Sequence, residues 1–572
     1  MLFKKKISGL CVGIGLMLSF SHVSANVLSP TQSVDSPFSA KVALVTAAES
    51  TTEITPVLTI PETHQGKKAN IYAISIDNTG FQYIKTDTGW DQFEGKVSTY
   101  KTVTLEDKLS LDIVSGTFCE TSSGRIFYGY ALEEKPNVFH GNGMSYSVSK
   151  TAQAIQTALD NIIADEETDG KIPGVVLGLE IPGEGRLYAS AGVTDLSTNE
   201  PMDPHDRFRV GSISKTFTAA GVLKLVDEGK LALNDTFENL VPGLGVVNSE
   251  SMQVKNLLSH TSGLIDYAFH DDWWQGLMLE EDDRTYTPTQ LIEMSNQARE
   301  VLLSFGLPVE ALVDFGVFQP GAVDDDGNPV VHYSNTNYGA LGMVLESASG
   351  NSLEDELKSR ILTPLGLDNT VIPVGNETSM PPGSATGHNN WVAQGFPLSG
   401  SDTLTIAPYQ TCNFGECKDE LIPQPLVESS FSWGIGNIVS NTEDLMDWIT
   451  ALVKREVYSY DTEKEVFNFL EINSTNEIGL GIALFYENMI GHRGQLPGFD
   501  AVMEYDMDLD IPIVASINRS FWGGRNVNEI IVLPVREILT AAASASSVNS
   551  LSQRHAPLPK ILQQKADEYP GI

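Results

Sequence analysis

The sequence predicts a chain in two folded parts, a small all-β domain followed by a larger α/β or α+β domain, and three observations carry that reading. From about Ala40 to Glu134, short alternating runs such as NIYAISID, GFQYIKT, KLSLDIVSG and RIFYGYALEE are broken by turn signals, Asp77-Asn78-Thr79-Gly80 and Ser122-Ser123-Gly124 among them. From AQAIQTALDNII onward, helical periodicity alternates with strand-like runs, VVLGLEI and RLYASAGV first, to about residue 545. At 572 residues, 41% hydrophobic and 19% charged, the chain is long enough for each part to bury its own core.

Taken in order, residues 1–25 read as a signal peptide. Lys4, Lys5 and Lys6 precede the apolar run Ile7 to Phe20, and the small residues of Val23-Ser24-Ala25 mark a cleavage site before Asn26. The run is short for a bilayer and no later stretch reaches the ~20 apolar residues a span requires, so the expected mature chain is exported, periplasmic or extracellular, without a membrane span. Residues 26–136 are the expected β-domain. The proline, glycines and asparagines of KPNVFHGNGMSYS predict a linker at 137–150. Residues 151–545 form the expected catalytic-sized domain, and the polar residues 546–572 a loosely held tail.

Loss of the three leader lysines takes the formal charge from -38 to -41, which argues against nucleic acid or anionic membrane as partners and reads as a highly solvated surface. Cys412 and Cys417 lie together in the polar loop TCNFGECKD, where an exported chain permits a disulfide, and no histidine is near enough in sequence to suggest zinc there. Cys119 stands apart.

Serine and lysine three residues apart occur as Ser98/Lys101, Ser147/Lys150 and Ser212/Lys215. The first pair lies in the β-branched stretch KVSTYKTV, where residues three apart on a strand face opposite sides. The second precedes a helix with a single apolar stripe, Ala154, Ile155, Ala158, Leu159, Ile162 and Ile163, so its end meets water and Lys150 stays charged. Lys215 instead opens TFTAAGVLKLVDEGKL, apolar nearly all round through Phe217, Ala219, Ala220, Val222, Leu223, Leu225 and Val226. Desolvation is what lets a lysine be neutral and act as a base, and at a helix start the Ser212 N–H is free to stabilise an oxyanion. Ser212 and Lys215 are therefore the candidate pair.

Four stretches in order, FRVGSISKTFTAAGVLKLVDEGKL, NLLSHTSGL, HYSNTNYGALGMVLE and GHRGQLPGFDAVMEYD, resemble the serine β-lactamase and penicillin-binding superfamily. They look most like its serine D-alanyl-D-alanine carboxypeptidases and class C β-lactamase relatives. The resemblance covers about Ile155 to Ala541 and implies an α+β fold of the β-lactamase/transpeptidase type: an antiparallel sheet flanked by helices, with an all-helical subdomain. It implies Ser212 as nucleophile, Lys215 and Tyr333 together as the proton-handling pair, and Asn335 as the amide that holds the substrate's own amide. His492 stands where relatives carry Lys or His, Gly494 lets substrate lie close, and the N–H groups of Ser212 and Gln495 form the oxyanion hole. Ser259 to Ser262 correspond to a stretch that relatives use mainly as a structural turn.

Two features depart from the pattern. Arg493 replaces a small hydroxyl residue, and the expectation weighed for it is a bidentate grip on a substrate carboxylate, against a strand side chain that points away. Phe269 to Pro329 is long and acidic, with Trp273 and Trp274 and the run Asp324-Asp325-Asp326-Gly327-Asn328. This reads as a lid or specificity subdomain, and the aspartate run as an Asp-Gly turn in preference to a calcium loop. Acyl transfer in two steps requires no metal or cofactor. The expected function is that of an exported serine hydrolase acting through an acyl-enzyme on a small peptide or ester, cell-wall peptide included. A D-amino-acid peptidase or carboxypeptidase comes first. Esterase, β-lactamase or a non-catalytic binding protein on the same fold are the alternatives.

Overall fold

The computed structural model describes residues 172–181, 185–270, 285–306, 312–375, 380–389, 422–423, 429–473, 475–520 and 526–547 of the larger part. Ahead of these it describes 40–41, 44–46, 51–54, 57–60, 63–77, 82–86, 89–92, 101–106, 108–110, 114–117, 121–134 and 140–164. The expected signal peptide, the C-terminal tail, Ser98, Cys119, Cys412, Cys417, Trp273 and Trp274 lie outside the described residues. The chain divides into two compact units, 1–157 with 180–189, and 158–179 with 190–572.

The first unit is built on antiparallel pairing. Lys68–Asp77 pairs along one edge with Thr121–Leu132 and along the other with Gln82–Thr86 and Lys101–Thr104. Ala69, Ile71 and Ala73 are buried at every second position, as the pleat requires of a strand with one face in a core. Two expectations fail here. His140–Ser149, read as a linker, is a strand paired throughout with Thr121–Leu132, and Ser122-Ser123-Gly124, read as a turn, lies inside that partner. Continuous pairing between these two strands, with Thr121–Leu132 also paired from Gly124 onward to Lys68–Asp77, supplies backbone partners that override the local preference of Gly, Ser and Asn for turns. Ser147 is thus a strand residue, while Lys150 opens the helix Lys150–Ala164.

A nine-stranded sheet lies in the second unit apart from the parts of two strands that fall within residues 180–189. Its order is Glu200–Pro201, Gly185–Asp195, Gly174–Ile181, Ile511–Ile517, Phe499–Asp506, Met489–Leu496, Ala483–Phe485, Asn476–Ile478 and Leu470–Asn473. Gly174–Ile181 runs antiparallel to Ile511–Ile517, so strands from both ends of the domain meet mid-sheet and the helical residues between them form an excursion. Phe499–Asp506 and Ile511–Ile517 are buried at every position, the second as a hydrophobic run covered on both faces should be, the first with Asp500, Glu504 and Asp506 carried into the interior.

The helix Ser214–Asp227 is the core of that excursion. Eleven of its residues, from Ser214 to Leu225, are buried, in keeping with a sequence apolar on nearly every face. Phe217 stacks on Trp448 at 4.5 Å, and the Trp448 indole N–H donates to Thr216 Oγ1 at 2.8 Å. Each buried aromatic ring contributes about 2–3 kcal/mol. A Cβ at Gly221 would lie 2.5 Å from Leu345, so only glycine lets the helix Thr336–Ser349 approach this closely. Part of the acidic segment is core: the helix Pro288–Ser304, capped by Thr287 and Gln290, buries Leu291, Ile292, Met294, Ala298 and Leu302. The aspartate run is a turn in which Asp324 Oδ1 accepts from the N–H groups of Asp326 and Asn328. No helix among the described residues is long and apolar enough to cross a membrane.

Candidate active site

Ser212 sits in a single 3-10 turn, Gly211–Ile213, that leads directly into Ser214–Asp227. Gly211 has φ +54, open to glycine at little cost, and a Cβ on it would lie 2.6 Å from the Gln495 backbone nitrogen. A Cβ on Gly494 would lie 1.9 Å from the Val210 carbonyl oxygen and 3.0 Å from the Ser212 nitrogen. Two glycines therefore let the strand Met489–Leu496 press against the serine turn, which brings the Ser212 and Gln495 amides to one place.

Lys215 is fully buried and donates from Nζ to Ser212 Oγ at 2.7 Å and to the Ile435 carbonyl at 3.3 Å. Burial pushes its ammonium down to about 7, with the Asp266 charge opposing. Tyr333, 40% exposed, donates its hydroxyl to Ser212 Oγ at 2.9 Å, so one oxygen receives both groups. The Lys215 Nζ is 5.0 Å from the Tyr333 ring centroid, within reach of a cation–π contact whenever the lysine is charged.

Asn335 follows two residues after Tyr333 and is held by a residue the sequence reading missed. Asp266 Oδ2 accepts from the Asn335 backbone N–H at 3.0 Å and from its side-chain amide at 2.9 Å, while Oδ1 accepts from Ala268 N–H. Burial pushes the Asp266 carboxyl up, and the donated hydrogen bonds and the Lys215 charge pull against that. Its nearest sequence signal is the Ser-His-Thr-Ser-Gly stretch just upstream; its partner is 69 residues away.

His492 is buried, its ring 6.4 Å from that of Tyr333. Its Nδ1 lies 2.6 Å from the Arg493 carbonyl oxygen, which assigns the proton to Nδ1 and leaves Nε2 an acceptor. Burial, aided by the Lys215 charge, pushes the imidazole down to about 3, so the ring is neutral at ordinary pH.

Arg493 does not join this group. Alternation along the strand turns it to the opposite face, where its Nε donates to Glu504 Oε1 at 3.1 Å and its guanidinium lies 4.1 Å from the Phe485 ring centroid. The expected grip on a substrate carboxylate is therefore replaced by an ion pair between a partly exposed Arg493 and a buried Glu504. Glu504 has no exposed surface, accepts also from Asn528, and is pushed up to about 7 by burial, with Arg493 pulling against it. The Gln495 side chain donates to Asp500 at 3.3 Å, while its backbone nitrogen lies against the serine turn. Arg493→Ala should cost about 3 kcal/mol of stability by leaving Glu504 buried without its partner, and should lower rates on carboxylate-terminated and neutral substrates by the same factor. Denaturant unfolding with paired kinetics checks this; a loss confined to carboxylate-terminated substrates would return Arg493 to the site.

A family model described as Beta-lactamase matches residues 159–533. Penicillin-binding protein 4* of Bacillus subtilis (strain 168) is 26% identical over 344 residues, covering 58% of this chain and 64% of the relative. Penicillin-binding protein 4 of Amycolatopsis lactamdurans is 29% identical over 203 residues, covering 35% of this chain and 45% of the relative. The chain thus spans less than two thirds of the length of these relatives. Among solved structures, D-amino acid amidase from Ochrobactrum anthropi SV3 complexed with D-phenylalanine has a TM-score of 0.54 and 23% identity, covering 69% of this chain and 100% of its own, a likeness of fold.

Proposed function

The chain belongs to the beta-lactamase family, and from that premise and the geometry at Ser212 we propose that it is a serine hydrolase working through an acyl-enzyme, on amides and peptides of D-amino acids. The observation that carries the proposal is the convergence of Lys215 Nζ and Tyr333 OH on Ser212 Oγ, with the lysine fully buried. A hydroxyl is a weak nucleophile until a base takes its proton, and a lysine brought down to about 7 is neutral in a useful fraction of molecules at neutral pH.

In the proposed cycle Ser212 Oγ attacks the substrate carbonyl while its proton passes to the Lys215 and Tyr333 pair. The Ser212 and Gln495 N–H groups receive the oxyanion. Tyr333 returns the proton to the departing amine, and the reverse sequence delivers water to the ester. Asn335 uses one amide hydrogen on Asp266, which leaves the rest of the group for the substrate amide. Neutral His492 lines the site without adding charge.

The names of the relatives support a D-amino-acid substrate: two are penicillin-binding proteins, and the amidase of like fold was solved with D-phenylalanine. With Arg493 engaged by Glu504, that position supplies no guanidinium for a free C-terminus, which favours neutral amides and esters over carboxypeptidase substrates. The test is hydrolysis of D-phenylalanine amide, L-phenylalanine amide, a D-Ala-D-Ala peptide and a nitrophenyl ester at matched concentrations. The D-amide should exceed the L-amide in kcat/KM by at least about tenfold. Equal rates on both enantiomers, or a preference for the L form, would overturn the substrate class. Export from the cell remains part of the proposal, tested by the N-terminal residue of the protein recovered from its native host.

A further inference from the structure

We infer that His260 is a positioning residue for Tyr333, holding it from three directions; this rests on the reading of Tyr333 as a partner of Ser212. Tyr333 is exposed and its hydroxyl must meet Ser212, so something has to fix both its backbone and its ring. The backbone N–H groups on either side of it are both donated to His260: His332 N–H to the His260 carbonyl at 3.0 Å, and Ser334 N–H to its Nδ1 at 3.1 Å. The two rings then stack, centroids 4.4 Å apart at 24°.

The hydrogen bonds around His260 also fix its tautomer. Ser262 donates its hydroxyl to Asn337 Oδ1 at 2.5 Å, which turns the Asn337 amide so that Nδ2 donates to His260 Nδ1 at 3.0 Å. With Ser334 N–H, Nδ1 accepts twice, so the single proton of the neutral ring resides on Nε2, and Nε2 is buried with no hydrogen-bond partner among the described residues. Burial, reinforced by the Lys215 charge, holds the ring well below the ordinary histidine range and therefore neutral. His260 also adopts φ +57, a conformation costly for any residue with a Cβ. An unpaired buried donor and a strained backbone coincide at one residue, as occurs where function is bought at the expense of local stability. An ordinary turn residue would need neither.

The test is a double-mutant cycle on the acylation rate of Ser212 by a nitrophenyl ester. His260→Phe keeps a ring for stacking but loses the Nδ1 acceptor, and His260→Asn keeps a short acceptor but loses the ring. In the Tyr333 protein each should slow acylation by about 10²-fold, the order expected from misplacing a reacting group by about 1 Å. In the Tyr333→Phe background each should cost less than about threefold, because no hydroxyl is left to misplace. The same fold-loss in both backgrounds would overturn the inference and make His260 purely structural. A readout independent of activity is the Tyr333 ring resonance in 13C-tyrosine-labelled protein, assigned by its loss in Tyr333→Phe. It should shift and broaden in His260→Asn while that of Tyr505 is unmoved, and an unchanged Tyr333 signal would also overturn it. Wild-type protein that fails to label at Ser212 would remove the proposed function, and the resonance would then decide the positioning role alone.

Discussion

Ser212→Ala should abolish covalent labelling by a serine-reactive phosphonate and lower kcat by about 10^5–10^6-fold, the scale of removing a nucleophile whose partners act as a unit. The loss should be as large as that of Ser212→Ala combined with Tyr333→Phe, because lysine and tyrosine have no task once the oxygen they share is gone. Ser147→Ala is the matched control. Its Ser-x-x-Lys spacing is the same, but Ser147 lies in the strand His140–Ser149, and labelling should be unaffected. Retained labelling in Ser212→Ala would place the nucleophile elsewhere.

Lys215→Met should slow acylation by about 10^3-fold or more while leaving the fold intact, since methionine fills much of the same volume without a charge. The sign of the pH effect follows from Lys215 being lowered from 10.5 to about 7. Between those values the unfolded chain holds a proton that the folded chain does not, so stability from this group rises with pH from about 7 to about 10.5. Below about 7 the ammonium is charged in both states and the full cost of burying it is present. The melting temperature of Lys215→Met at pH 6 should accordingly match or exceed that of wild type, with Asp266, already pushed up by burial, taking a proton in the variant. In wild type, kcat/KM should rise with pH and level off above about 7 as the base becomes neutral. Acylation near the wild-type rate would contradict the assignment of Lys215 as part of the base, and a lower melting temperature at pH 6 would contradict the cost assigned to burying its charge.

What could be read in the sequence was whatever a local pattern encodes. Lys215 was legible because a helix apolar on every face must be interior, and its complete burial bears that out. The order of the four motifs gave the fold, and the family match agrees. Of the positions they named, Lys215 and Tyr333 each come within hydrogen-bonding distance of Ser212 Oγ.

What could not be read depends on partners distant in sequence. Strand alternation turns Arg493 to the far face, the alternative weighed for it from the sequence, but its partner there, Glu504, lies eleven residues on in the neighbouring strand, and nothing near Arg493 announces it. Asp266 follows an unremarked Leu-Ile pair and acquires its role from Asn335. His260 was read within a turn, and its positive φ agrees, but its contact with Ser334 spans 74 residues. The strand His140–Ser149 failed for a related reason: its glycines and asparagine favour a loop locally, while the pairing that holds them straight comes from another strand.

Whether Ser212 carries a covalent acyl group during turnover is decided by intact-mass measurement and peptide mapping of wild-type protein quenched during reaction with a D-amino-acid ester and, separately, with penicillin. The mass should increase by one acyl group, located on the peptide containing Gly211 to Lys215 and absent from Ser212→Ala. An adduct on any other residue, or rapid hydrolysis with no trapped adduct that persists unchanged in Ser212→Ala, would contradict it.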